Sequence, residues 1–138
     1  MKDIGICFYF SSNDDDEYSG TSSFLNFWRL CGKAYGVKKY AIIADEKMDW
    51  NDSSVTLYHY YSFEEFTKEH LNYVRLSGKG NSSLDDYKET EWFCFGPPEG
   101  WPEKKEDVKL DFPDDRNLHA VQVLPVFLDR FNKIWQSR

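Results

Sequence analysis

Cysteine is scarce in this chain. Cys7, Cys31 and Cys94 are odd in number, far apart, and joined to no CxxC or Cys/His cluster, which argues against a zinc site. Long apolar runs are missing as well. No stretch approaches the ~20 apolar residues that span a bilayer. The opening MKDIGICFYF carries too short a run, and no small-residue cleavage site, for a signal peptide. A soluble, cytoplasmic protein without membrane contact is the expectation. Basic charge is in deficit: 17 basic residues against 24 acidic ones leave a formal charge of −7, which argues against a broad nucleic-acid footprint. Local basic clusters remain at Lys33, Lys38 and Lys39 and at Lys104, Lys105 and Lys109. Four common signatures are absent: GxGxxG after the first strand, GxxxxGK[ST], HExxH and GxSxG. Dinucleotide binding, NTP hydrolysis, zinc proteolysis and serine hydrolysis all lose support.

Aromatic residues are abundant. They make up 18% of the chain, a content that disordered chains lack, and they predict a core rich in Phe, Tyr and Trp. A length of 138 residues suits one domain, 1–138. The acidic runs Asp14–Glu17 and Asp111–Asp115 read as solvated loops. Cys7 and Cys94 lie inside apolar strand-like runs and read as small buried hydrophobes. Cys31 has no activating partner visible in sequence.

Hydrophobic periodicity alternates between strand and helix. Ile4–Phe10 is apolar on successive positions, as in a strand buried on both faces. Thr21–Tyr35 follows, with Phe24, Phe27, Trp28, Cys31 and Tyr35 on one helical face and Gly36 placed to end it. Lys39–Ala44 and Val55–Tyr61 read as the second and third strands. Ser62-Phe63-Glu64-Glu65 is a capping-box pattern, and the helix it opens is expected to use Phe63, Phe66, Leu71 and Val74. Leu84–Glu89 is a short helix or irregular. Glu91–Phe95 is the expected fourth strand and Val108–Phe112 the fifth. The last helix places Val121, Leu124, Leu128, Phe131 and Trp135 on one face. Pro125 either kinks this helix or marks its start, since proline is costly inside a helix and welcome in its first turn. The expected fold is therefore α/β: a mostly parallel sheet with helices on both faces.

Chemistry-bearing residues gather near the strand ending in Phe95. The segment FCFGPPEGW reads as a strand followed by a tight loop, where α/β proteins hold small ligands. Glu99, between Pro98 and Gly100, either contacts a ligand or braces the loop. Arg29, on the first helix, either pairs with an acidic loop or binds phosphate. Of His59, His70 and His119, only His119 lies near the candidate loop in sequence; structural roles are the default for all three.

Three stretches resemble the SPOUT superfamily of methyltransferases. FLNFWRLCGKAYGVKKYAII resembles that family's first motif, with Ala34-Tyr35-Gly36-Val37 ending a helix before a strand. FCFGPPEGW resembles its apolar strand followed by a Gly-x-Glu-Gly-x-Gly loop. FPDDRNLHAVQVLPVFLDRF resembles the last motif, a loop entering the C-terminal helix, as in the ribose methyltransferase branch. The resemblance implies a C-terminal trefoil knot. It implies S-adenosylmethionine held by Gly96, Glu99, Gly100 and the segment around Leu118. It implies methyl transfer to RNA, tRNA among the candidates, often at a ribose 2′-hydroxyl, by a homodimer packed through the first and last helices. Arg29, Glu99 and His119 would be the catalytic candidates. The chain departs from the pattern at Leu30, where the family carries arginine, at Asn117-Leu118-His119, where it carries Ser-Leu-Asn, and in the extra proline of Pro97-Pro98. The alternative is a catalytically inactive relative, or a flavodoxin-like protein, that works by binding a protein partner.

Overall fold

Runs of β-prone apolar residues build a five-stranded sheet in the order β3-β2-β1-β5-β4. The strands are β1 (Gly5–Tyr9), β2 (Lys39–Ile43), β3 (Thr56–Tyr60), β4 (Tyr73–Leu76) and β5 (Trp92–Phe95). Every pairing is parallel, so crossovers must cover the sheet and both faces must be apolar. The computed structural model describes residues 3–10, 23–47, 50, 52–97, 100–102, 104–110, 112 and 120–136.

Alternate residues of each strand feed two cores. Ile6 and Phe8 of β1, Tyr40 and Ile42 of β2, and Phe93 and Phe95 of β5 face α1 (Ser23–Ala34) and α3 (Ala120–Gln136). Trp28 of α1 stacks on Phe8 at 4.2 Å, and Phe127 and Phe131 of α3 each sit 4.8 Å from Phe93. On the opposite face, Cys7, Ala41, Ile43, Trp92 and Cys94 pack with Phe66 of α2 (Phe63–Glu69) and with Trp101. Cys7 and Cys94 are register partners in neighbouring strands and fully enclosed, in keeping with small buried hydrophobes. The helices thus cover both faces, as the alternation of periods predicts.

Local chemistry explains most element ends. The Ser62 side chain accepts the Glu65 amide at 3.2 Å, and the Glu65 carboxylate accepts the Tyr61 amide at 2.8 Å, so the capping-box pattern starts α2 as read. Gly36 follows α1 with φ +83°, the left-handed conformation that favours glycine.

Several boundaries differ from the sequence reading. α2 stops at Glu69, with the His70 amide bonded to Phe66 O at 2.9 Å. Val74, expected on that helix, instead belongs to edge strand β4, where Val74 and Leu76 face the α1/α3 core. Four apolar positions over twelve residues fit a helical stripe, yet β-branched and aromatic residues after Asn72 favour a strand. The expected strand Val108–Phe112 is reduced to parallel bridges from Val108 to Leu76 and Ser82. Leu84–Tyr87 is a 3₁₀ turn. On α1, Phe27 is 40% exposed while Leu25 is buried, so the buried stripe centres on Leu25 and Trp28. α3 begins at Ala120 and runs through Pro125 without ending there. Its buried face holds Phe127 in addition to the expected residues, and Trp135 is only partly buried.

Candidate ligand site at the carboxyl ends of β1 and β5

Strand order locates a switch point. The chain leaving β1 turns towards β2, whereas the chain leaving β5 turns the other way and meets β4 at Val108. Connections that part between neighbouring parallel strands open a crevice at their carboxyl ends. Here those ends are Tyr9-Phe10 and Phe95-Gly96.

The loop after β5 folds back over this point. The Gly100 amide donates to Pro97 O at 2.8 Å, closing a turn, and Gly100 takes φ +83°. Trp101 then lies against the sheet, 92% buried, with its ring 5.8 Å from Tyr9 and 4.8 Å from Phe63. A Cβ on residue 96 would stand 2.9 Å from Trp101 Nε1, so the indole itself accounts for glycine at that position. No bonding partner of Trp101 Nε1 is found among the described residues. The indole nitrogens of Trp50 and Trp92 share this state, and Trp101 Nε1 is directed at Gly96. The space above Gly100 is open, since a Cβ there would meet nothing within 4 Å.

Arg75 of β4 anchors the far end of the loop. Its Nε donates to Asp107 Oδ1 at 2.8 Å and its Nη2 to Asp107 Oδ2 at 2.6 Å. Nη2 also reaches Pro102 O at 2.8 Å, and the guanidinium carbon lies 4.6 Å from the Trp101 ring centre. Asp107 is 2% exposed, and its bonds hold the Arg75 guanidinium protonated beyond its ordinary tendency. One side chain therefore fixes both Trp101 and the chain entering Val108.

The candidates named from sequence separate. Gly96 stands against the Trp101 ring and Gly100 bonds Pro97 O at the end of β5, whereas Glu99, Leu118 and His119 lie outside the described residues. Arg29 is directed elsewhere. Its Nη1 pairs with Asp52 Oδ2 at 2.6 Å in the β2–β3 connection, and Lys33 joins the same carboxylate at 3.2 Å. The Ser54 hydroxyl and amide, followed by Arg29 and Lys33, hold the Asp52 carboxyl well below the usual range. Trp28, one residue earlier, points at Phe8 and Phe95; the ~100° helical step between neighbours accounts for the divergence. Leu30, at the family's arginine position, is 55% exposed. Burial pushes the Cys31 thiol up, away from the thiolate form a nucleophile needs. His59 Nε2 bonds Ala44 O at 3.1 Å, a structural role.

Sequence reasoning missed Trp101, Arg75 and Asp107. Trp101 carries a local signal, since it follows the glycine of a turn directly. Arg75 and Asp107 stand thirty-two residues apart, and no spacing rule connects them. Among the described residues, no three His, Cys, Asp or Glu side chains are grouped to hold a metal ion, and no helix is long and apolar enough to cross a membrane. No family model matches the chain, and no curated protein matches it.

Proposed function

We propose that the crevice between β1 and β5 binds S-adenosylmethionine and that the protein is a SPOUT-like RNA methyltransferase, acting on a ribose 2′-hydroxyl. The observation that carries this reading is the glycine turn Pro97–Gly100, set at the carboxyl end of β5 at the point where the strand order reverses. It coincides with the stretch whose sequence resembles the family's cofactor loop. One feature of the described residues supports such a ligand: the space beside Gly100 is open. Gly96, Glu99, Gly100 and Leu118 are the proposed binding residues. When bound, the cofactor supplies an already activated methyl group, so the protein's task is to position an acceptor oxygen and accept its proton. Glu99 and His119 are the proposed proton acceptors. Arg29, the other catalytic candidate, is paired with Asp52 ahead of β3. A C-terminal knot, tRNA as one candidate substrate, a cytoplasmic location and a homodimer packed through α1 and α3 belong to the same proposal.

A second reading has its own support. Leu30 occupies the family's arginine position and faces solvent, and Arg29 is already paired with Asp52. A non-catalytic relative that recruits a protein partner would show this pattern.

Calorimetry with S-adenosylmethionine, followed by transfer of labelled methyl to total RNA, tests both. Binding together with transfer is the expected result. Binding without transfer selects the second reading, and no heat and no thermal shift at millimolar ligand overturns the cofactor assignment.

A further inference from the structure

The outer edge of β4 is incompletely paired. Trp92 N–H donates to Asn72 O, while Val108 N–H donates to Arg75 O and Ser77 N–H to Val108 O. The parity of a parallel ladder therefore turns the backbone groups of Val74 towards β5 and those of Tyr73 and Arg75 outward. Val108 satisfies the Arg75 carbonyl. Upstream, the chain that would continue this sixth row departs into a turn, closed by Asp107 N–H to Lys104 O at 3.1 Å. Glu106 O, which would otherwise face Arg75 N–H, accepts from the Tyr87 hydroxyl at 3.1 Å. Tyr73 N–H, Tyr73 C=O and Arg75 N–H are left without a backbone partner among the described residues.

A groove lies along these groups. It measures about 280 Å³ and is lined by Leu71, Tyr73, Arg75, Tyr87, Lys104 and Glu106, among others. The three unpaired groups lie on Tyr73 and Arg75, so about two residues of extended chain complete the row. Leu71 stands at its edge, 84% exposed. Lys104 and Glu106 bring opposite charges to the lining, so the groove favours neither sign.

We propose that this groove binds an extended peptide segment of a partner protein by strand addition to β4. The peptide backbone pairs with Tyr73 and Arg75, and an apolar side chain rests on Leu71 and Tyr73. Unpaired edges are templates for such pairing, and the turn at Lys104–Asp107 limits the template to a short stretch. The proposal is independent of the crevice between β1 and β5.

A phage library of random heptapeptides selected on the full chain, and the synthetic consensus peptide drawn from it, supply the probe. Amide hydrogen exchange is then measured with and without that peptide. In the free protein, Tyr73 and Arg75 amides are expected to exchange much faster than the Val74 and Leu76 amides, and to become protected when the peptide is added. Tyr73→Pro removes an outward N–H and the ring that packs on Phe63 and Phe66, but no ladder bond. With native circular dichroism retained, it should weaken binding at least tenfold, and by more than Tyr73→Ala, which keeps the N–H. Leu71→Glu, at an exposed position with no bearing on folding, should also weaken binding at least tenfold. N-methylation of the peptide at alternate residues should abolish binding in one register only. Protection of Tyr73 and Arg75 in the free protein overturns the proposal. So does a failure to enrich any peptide, or binding indifferent to Tyr73→Pro and Leu71→Glu.

Discussion

Arg75 meets three neighbours at once: the Asp107 carboxylate, the Pro102 carbonyl and the face of Trp101. Asp107 is almost fully enclosed, so removing the guanidinium leaves a buried charge without its partner. Breaking one side of such a pair costs about 3 kcal/mol or more, and Arg75→Met should lower urea-unfolding stability by about that amount. Arg75→Met combined with Asp107→Leu should recover part of the loss, because the uncompensated charge is gone. The loss in the single variant should also expose Trp101 and shift its fluorescence to the red. A second residue-scale chain runs through Tyr60. Its hydroxyl donates to Glu69, so its oxygen is left to accept from His70 Nε2–H at 2.8 Å. His70 is packed against Trp92 at 4.6 Å, Phe66 at 4.9 Å and Tyr58 at 5.2 Å. Burial lowers its pKa from 6.5; Glu69 and Glu91 pull upward, and Lys39 pushes down with burial. A histidine whose folded pKa is depressed binds its proton more readily in the unfolded chain. Its contribution to stability is therefore full above about pH 6.5 and is lost as pH falls through that value towards the folded pKa. His70→Gln should flatten the dependence of melting temperature on pH between about 7 and 5, and an unchanged slope would refute the assignment. Neither chain was legible in sequence. The sequence pattern carries this helix on to Val74, and only its early end at Glu69 brings His70 into the aromatic cluster.

Pro125 sets the argument at the scale of elements. It lies inside α3, a continuous helix from Ala120 to Gln136, and has no N–H to donate to the turn before it. An interior proline costs about 3 kcal/mol, offset by less than about 1 kcal/mol of unfolded-chain entropy. Pro125→Ala should therefore raise stability by about 2 kcal/mol, read as a higher urea midpoint with an unchanged slope. No gain would mean that a kink at Pro125 is needed to seat Leu124, Phe127 and Leu128, which are fully buried. The legibility of elements followed the strength of their local signals. β1, β2, β3 and β5 announce themselves by dense β-prone runs, and α2 by its cap. β4 has four residues and a pattern that a helix shares, so its identity rests on pairing with Trp92–Phe95. That long-range information is not present in Tyr73–Leu76 alone. The segment at Val108, which makes two isolated bridges, was overread for the complementary reason. Val108 and Leu110 are buried, so the segment carries a strand's apolar pattern with only isolated bridges.

Strand order and helix placement give the whole molecule two unlike surfaces. The face under α2 is closed by a cluster of aromatic rings around Phe66, Trp92 and Trp101. On the other face, α1 and α3 pack side by side, and α1 turns Phe27 and Leu30 outward at 40% and 55% exposure. These residues are three apart and lie on one side of the helix. Val123 of α3 is only half-buried. In a chain with a formal charge of −7, self-association through a charged face would be repulsive, so an apolar helical face is the more favourable route to a dimer. The homodimer proposed above then makes a specific demand on Leu30. Two copies related by a two-fold axis bring the same patch of each together, so one substitution per chain alters the interface twice. Leu30→Glu adds a carboxylate to each side of that patch while touching no core residue. By analytical ultracentrifugation the natural protein should sediment as a dimer, and the variant as a monomer with nearly unchanged thermal unfolding measured at equal monomer concentration. A monomer in both cases would remove the dimer from the proposal. A dimer in both would place the contact on another surface. Calorimetry with S-adenosylmethionine on the Leu30→Glu monomer then separates assembly from ligand binding. The crevice at Gly96 and Trp101 is built within one chain, so retained binding in the monomer is the expected result.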